Sequence, residues 1–358
     1  ITVPHIKTVV GLLVVLRTIW VFNSFDMIYL ITGGGPGGAT ETVPIYAYNV
    51  GWGLKQLGKS SAVTVLLLVF LLIVCSMYFR ILNKRRTLRR GWFGDTVSYV
   101  YLTILAVIAI FPLLWIILSS LKGKGEIAGN PTAFFPQVIS FENYQIVFEQ
   151  MGFGTNVLNS ILIAGGTTLL AITISCLGAY GIVRFMPRLG NAITRVLITT
   201  YMFPAILLAV PYSIIMGKLG LVNNRIGLII VYMTFSVPYA VWLLVGFFKT
   251  VPLEIEEAAR VDGATKIQTF TKVVMPIVAP GVVAVAIYTF INAWNEFLYS
   301  LILMNSSSKM TAAVALKSLE GQEVLDWGVM MAASTVVVVP SVIFFMLIQK
   351  RIAGGLAQ

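Results

Sequence analysis

Two groups of residues in this 358-residue chain have types and spacings that could do chemistry. The first lies in a polar island: Glu257-Ala258-Ala259, then Gly263 after three residues, then Val273-x-Met275-Pro276 after nine more. The second is a set of polar groups inside apolar segments. Asn23, Phe25 and Asp26 sit in one segment; Asn292, Trp294, Asn295 and Glu296 sit in another. Carboxylates and amides beside aromatic rings suit a hydrophilic path for a hydroxyl-bearing solute, or they tie helices together by hydrogen bonds across a bundle. An ionised group at a membrane helix centre costs about 2.5–3.5 kcal/mol; Asp26 and Glu296 fall towards segment ends, where the cost is lower. Arg17 reads as a paired or snorkelling charge.

Other chemistries lack their residues. His5 is the only histidine, which excludes a His-based metal cluster, and no nucleophile motif accompanies it to suggest a Ser-His-Asp arrangement. Gly53-Leu54-Lys55-Gln56-Leu57-Gly58-Lys59-Ser60 fits the phosphate-loop pattern, yet no β-strand sequence precedes it and an apolar helix follows. Neither HExxH nor GxSxG occurs, so no intramembrane enzyme is indicated.

The elements that must position these groups are membrane helices. The chain is 58% hydrophobic and 11% charged, with mean hydropathy +0.90, whereas soluble domains carry about 25% charged residues. A helix of about 20 apolar residues spans the hydrocarbon. That ruler predicts an all-α polytopic protein with about eight spans, near 8–31, 60–82, 97–119, 156–183, 194–216, 226–248, 277–304 and 328–349. Ile1-Thr2-Val3-Pro4-His5 offers neither a basic region nor a cleavage site, so no signal peptide is expected. Cys75 and Cys176 both fall inside spans and read as packing residues.

The formal charge of +11 is a topology signal rather than a nucleic-acid footprint. With alternating spans, the side holding 1–7, 83–96, 184–193, 249–276 and the C-terminus has about twice the Lys and Arg of the other. That places the polar island and both termini in the cytoplasm. The segment 120–155 then lies outside, either as a contact for another protein or as a packed cap over helix ends.

Within the island, Pro252 starts a short helix whose first turn is favoured by Glu254, Glu256 and Glu257. Ala258 and Ala259 keep its face slim, and Gly263 permits a sharp turn. A second short helix, 265–274, follows, and Pro276 is expected to separate it from the next span.

The chain also contains an incomplete direct repeat. Ile1-Thr2-Val3-Pro4 matches the end of the island, and Phe22-Asn23-Ser24-Phe25-Asp26 follows at a distance similar to that of Ile291–Phe297 after Pro276. Residues 1–82 therefore read as the last two helices of one unit. Residues 83–96 form a basic linker, and 97–358 form a complete six-helix unit containing the loop 252–276.

The island resembles the EAA loop of permeases from ATP-binding-cassette (ABC) importers, EAA-x3-G-x9-I-x-L-P, with Val273 and Met275 as apolar exchanges. Residues 25–40 are similar to the first permease of maltose-type carbohydrate importers; SFENY (140–144), the EAA loop and WNEF (294–297) are similar to the second. The resemblance implies a multi-pass permease of a bacterial or archaeal plasma (inner) membrane. Its expected partners are an ABC ATPase dimer, a second permease subunit, an extracytoplasmic solute-binding protein, the lipid bilayer and a sugar. No cofactor is implied, since ATP is bound by the ATPase, and no nucleic acid. Glu257, Ala258, Ala259, Gly263 and Pro276 would couple the chain to the ATPase. Asn23, Phe25, Asp26, Asn292, Trp294, Asn295 and Glu296 are the substrate-path candidates. An ion-coupled secondary transporter is the alternative; it would show mid-membrane relays and inverted repeats.

Overall fold

The computed structural model describes residues 17, 21, 24–82, 93–130, 132–200, 203–319 and 326–355. Every regular element among them is helical. The principal helices are α1 (Asp26–Thr32), α2 (Val43–Tyr48), α3 (Leu57–Leu82), α4 (Phe93–Ser120), α5 (Phe153–Phe185), α6 (Gly190–Thr200) and α7 (Ala205–Lys218). They continue as α8 (Arg225–Lys249), α9 (Leu253–Val261), α10 (Lys266–Asn295), α11 (Leu298–Leu303), α12 (Ala312–Ser318) and α13 (Trp327–Gly355). Three of them, α5, α8 and α10, are long and apolar enough to cross a membrane, and the bent pair α6–α7 makes a fourth if counted as one span. The apolar stretches Gly58–Leu71, Ala106–Ser120 and Trp327–Ile343 are shorter. The start of the expected span 8–31 and most of the linker 83–96 lie outside the described residues, as does Asn23.

Two expected spans are interrupted. The run 277–304 breaks at Glu296, whose backbone is extended (φ −67°, ψ 130°). The Glu296 carboxylate accepts hydrogen bonds from the backbone N–H groups of Tyr299 (2.8 Å) and Ser300 (3.3 Å), which starts α11 as a new helix. The run 194–216 breaks between α6 and α7, where Pro204 disfavours helical backbone at the residue before it.

The described residues divide into two units, 1–151 with 204–211 and 319–335, and 152–203 with 212–318 and 336–358. In the first, Phe25 is buried and stacks on Tyr29 (4.8 Å), close to Tyr48 (5.2 Å). Residues 120–144 bond to themselves as a cap on the end of α4. Lys122 is fully buried, donates to the Ala133 carbonyl and lies over the Trp115 ring. Asn143 Nδ2 donates to the Ser120 (3.0 Å) and Lys122 (2.8 Å) carbonyls, and Phe134 stacks on Phe111 (5.6 Å). Ser60, the last residue of the phosphate-loop-like string, is buried and donates to the Ala47 carbonyl (2.6 Å).

In the second unit α5 is the central rod. Its buried residues Asn156, Asn159, Ser160, Ile163, Ala164, Thr167, Ala171, Ser175, Ala179 and Ile182 recur at helical spacing. Small side chains along this stripe let α8 approach closely, as membrane helices do without a hydrophobic drive between them. Gly281 on α10 lies directly beneath the Phe247 ring of α8, where any side chain would collide with it.

At one end of α5 an amide clamp holds residues 307–310. Asn156 Nδ2 donates to the Ser307 (2.7 Å) and Met310 (3.0 Å) carbonyls. Fully buried Asn159 donates to Ser308 (2.9 Å) and Met310 (3.0 Å) and accepts from Arg225 Nε (2.9 Å). Asn159→Leu removes three bonds at once and leaves the Met310 carbonyl with Asn156 alone, with an expected loss of about 1–3 kcal/mol. Hydrogen exchange should accelerate at 305–311 in that variant while the far end of α5 stays protected.

Candidate functional site

The opposite end of α5 meets the polar island. The core there is Ala179, Ile182, Leu244, Val245, Phe248, Val251, Val274 and Val278, with Tyr180 and Phe270 packed against it. The Tyr180 and Phe270 rings are 4.8 Å apart. On this base α9 begins after Pro252, which occupies the N-cap position, with Glu254 and Glu256 in its first turn.

The two carboxylates do different work. Glu254 is exposed, whereas Glu256 is fully buried. Arg184 Nε donates to Glu256 Oε1 (2.5 Å), and the Tyr180 hydroxyl donates to Oε2 (2.8 Å). Arg184 Nη2 also donates to the Val251 carbonyl (2.7 Å). Burying a carboxylate without such partners is prohibitive, so this contact sets which face of α9 turns inward. Glu257 and Ala258 are exposed as a result, and Ala259 is half-buried.

Helix α9 ends in a left-handed turn. Gly263 has φ +88° with open space around its missing Cβ, so the backbone conformation alone demands glycine. The Gly263 N–H donates to the Arg260 carbonyl (3.1 Å) and the Ala264 N–H to Ala259 (3.0 Å). Thr265 and Gln268 then close a capping box at the start of α10: the Thr265 N–H donates to Gln268 Oε1 (2.8 Å) and the Gln268 N–H to Thr265 Oγ1 (3.3 Å). That Thr-x-x-Gln signal is readable in the sequence, although the motif reading passed over it.

Pro276 does not separate a short helix from the next span. Helix α10 runs unbroken from Lys266 to Asn295, with Thr269–Val274 wound as a π-turn. A wide turn shifts the backbone bonding register just where proline lacks its N–H, so the helix passes through. The outward-facing edge of the island is apolar: Val261 is 87% exposed, Ile267 76%, Leu253 45% and Ile255 40%.

The path candidates separate by direction. Trp294 is buried, donates from Nε1 to the Val337 carbonyl (3.1 Å) and stacks on Phe290 (6.0 Å). The Glu296 carboxylate caps α11. Asn292 and Asn295 instead lie with Tyr288 on one face of α10, each amide bonded to the carbonyl one turn back, at Tyr288 and Ile291. Tyr288 is 38% exposed and stacks on Tyr239 (4.5 Å); sequence reading missed both tyrosines. Phe25 is enclosed by Tyr29 and Tyr48, Asp26 is half-buried, and Asn23 lies outside the described residues. Among the described residues no group of His, Cys, Asp and Glu could hold a metal ion.

Membrane-length helices carrying a rigid, self-capped polar loop suit the membrane component of a transporter, and the comparisons agree. The profile of the family "Binding-protein-dependent transport system inner membrane component" matches residues 171–358. The sulfoquinovosyl glycerol transport system permease protein SmoH of Agrobacterium fabrum is 35% identical over 263 residues, covering 74% of this chain and 92% of that protein. The trehalose transport system permease protein SugB of Mycobacterium tuberculosis is 35% identical over 259 residues, covering 72% and 93%. In fold, the chain is similar to a crystallised bacterial ABC transporter involved in import of the acidic polysaccharide alginate (TM-score 0.64, 23% identity, covering 75% of this chain and 99% of that one). The chain therefore belongs to the binding-protein-dependent inner-membrane components, the multi-pass, non-catalytic permease subunits of ABC importers.

Proposed function

We propose that the chain carries a carbohydrate across the membrane as part of an ABC importer, driven through the 252–276 loop by a separate ATPase. The observation that carries this reading is the surface of α9 and the turn after it. Glu257 and Ala258 point outward beside exposed Leu253, Ile255, Val261 and Ile267, on an island that is otherwise polar. A surface of that kind on a capped, rigid helix pair suits a protein partner, and the ATPase is the occupant. Ala259, Gly263 and Pro276 shape it: a half-buried small residue, the left-handed turn, and the passage into α10.

The sugar class rests on the relatives, whose named solutes are sulfoquinovosyl glycerol and trehalose. Asn292 and Asn295 with Tyr288 supply amides and an aromatic face on one side of α10. Asn23, Phe25, Asp26, Trp294 and Glu296 complete the set of path candidates, and Trp294 and Glu296 also brace the helices beside Asn292 and Asn295. The domain reading is two helices in 1–82, a linker in 83–96 and six spans in 97–358, eight in all, with both termini cytoplasmic. Its support is the direct repeat in the sequence and the fact that the relatives align over a length close to that of 97–358. A second permease and a solute-binding protein complete the assembly.

Co-purification of the chain with its co-encoded ATPase tests the docking. Wild type should retain the ATPase, while Gly263→Pro and Glu257→Lys should lose most of it and still insert in the membrane. Retention by both variants would overturn the docking role of this surface.

A further inference from the structure

We infer that Arg184, Glu256 and Tyr180 are positioning residues that fix the angle of α9 against α5, so that movement of the docking surface is carried into the membrane. The inference rests on the docking reading above and assigns the residues behind it. None of the three faces outward at the docking surface, and Glu256 is fully buried. Yet they form the polar attachment between α9 and α5. One carboxylate receives an arginine and a phenol from successive turns of α5, at 2.5 and 2.8 Å, and the same arginine holds the Val251 carbonyl at 2.7 Å. Tyr180 and Arg184 are four residues apart and so share one helical face.

The chemistry favours direction over mere cohesion. Apolar packing through Phe248, Val251, Val274 and Phe270 already joins α5 to the segments flanking α9, but packing is tolerant of rotation. A carboxylate held from two sides is not, because turning α9 by one residue would leave a buried charge unpaired. Replacing a buried ion pair by apolar side chains is often neutral for stability, whereas removing one member is costly. That difference separates a positioning role from a structural one.

The test uses nitroxide labels at Ile174→Cys on α5 and Val261→Cys at the end of α9, both exposed sites, in a Cys75→Ser/Cys176→Ser background reconstituted in nanodiscs. The parent is expected to give one narrow distance. Arg184→Met and Glu256→Gln should each broaden that distribution about two-fold. Arg184→Leu/Glu256→Leu should recover the parent's heat resistance while its distance distribution stays broad. A narrow parental distance in the double variant, or no broadening in either single variant, would overturn the inference. ATPase retention is read separately on unlabelled chains that keep Val261. If the unlabelled wild type retains none, the docking reading falls and the distances still decide the positioning; if it retains the ATPase and the distances do not respond, only the positioning falls.

Discussion

Arg184→Ala is expected to lower the stability of the folded chain by about 3–5 kcal/mol, the range found when one partner of a buried pair is removed. The loss should exceed that of Glu256→Ala, because the two leave different orphans. Without Arg184, the Glu256 carboxylate stays fully buried with the Tyr180 hydroxyl as its remaining side-chain partner. Without Glu256, the Arg184 side chain, 13% exposed, keeps the Val251 carbonyl and sits near the end of α5, where it can reach water. Heat-induced aggregation of detergent-purified variants, followed by the fraction remaining monodisperse, gives the order. Equal losses, or a larger one for Glu256→Ala, would mean that Arg184 lacks the role given to it.

Gly227→Ala is the second large effect. A Cβ there would stand 2.2 Å from the Leu221 carbonyl oxygen and 3.0 Å from Leu221 Cβ. The obstacle is backbone, so no side-chain rotation relieves it, and overpacking of this kind costs about 1–3 kcal/mol or more. The strain would not stay local. Leu221 opens the turn to Asn224, which caps α8 by accepting from the Ile226 N–H (2.9 Å). Asn223 in the same turn donates from its backbone to Leu303 (2.8 Å) and from Nδ2 to Ser306 Oγ (2.7 Å). Faster hydrogen exchange at 303–309 should therefore accompany the lower melting point. Gly246→Ala is the control: its Cβ meets nothing within 4 Å, so it should be neutral or raise stability by up to about 1 kcal/mol.

These two sites show where the sequence could and could not be read. The turn at Gly263 was legible because spacing, residue type and backbone geometry all lie within a few positions. Glu256 was not: it stands among acidic neighbours and reads as one more first-turn charge, while its partners Arg184 and Tyr180 are brought to it only by tertiary packing. Glu296 was legible as a polar group in an apolar run, but hydropathy cannot distinguish a path-lining carboxylate from one that ends a helix and caps the next. The span 277–304 was drawn through it for that reason. Trp294 likewise carries the composition of a solute-facing aromatic, yet its indole is bonded to Val337. Asn292 and Asn295 share one helix face because residues three apart lie together on a helix; Asn295 is exposed and Asn292 half-buried.

If the 252–276 loop docks the ATPase and Asn292 and Asn295 face the solute, as proposed, the unbroken course of α10 through Pro276 makes them two ends of one lever. Thirty residues separate its ends, a length of about 45 Å at 1.5 Å per residue. A tilt of about 5° at the Lys266 end would then carry Asn295 sideways by about 4 Å, more than the length of a hydrogen bond. A displacement of that size breaks contacts with a bound solute outright rather than stretching them, and it requires no bending at the membrane's centre.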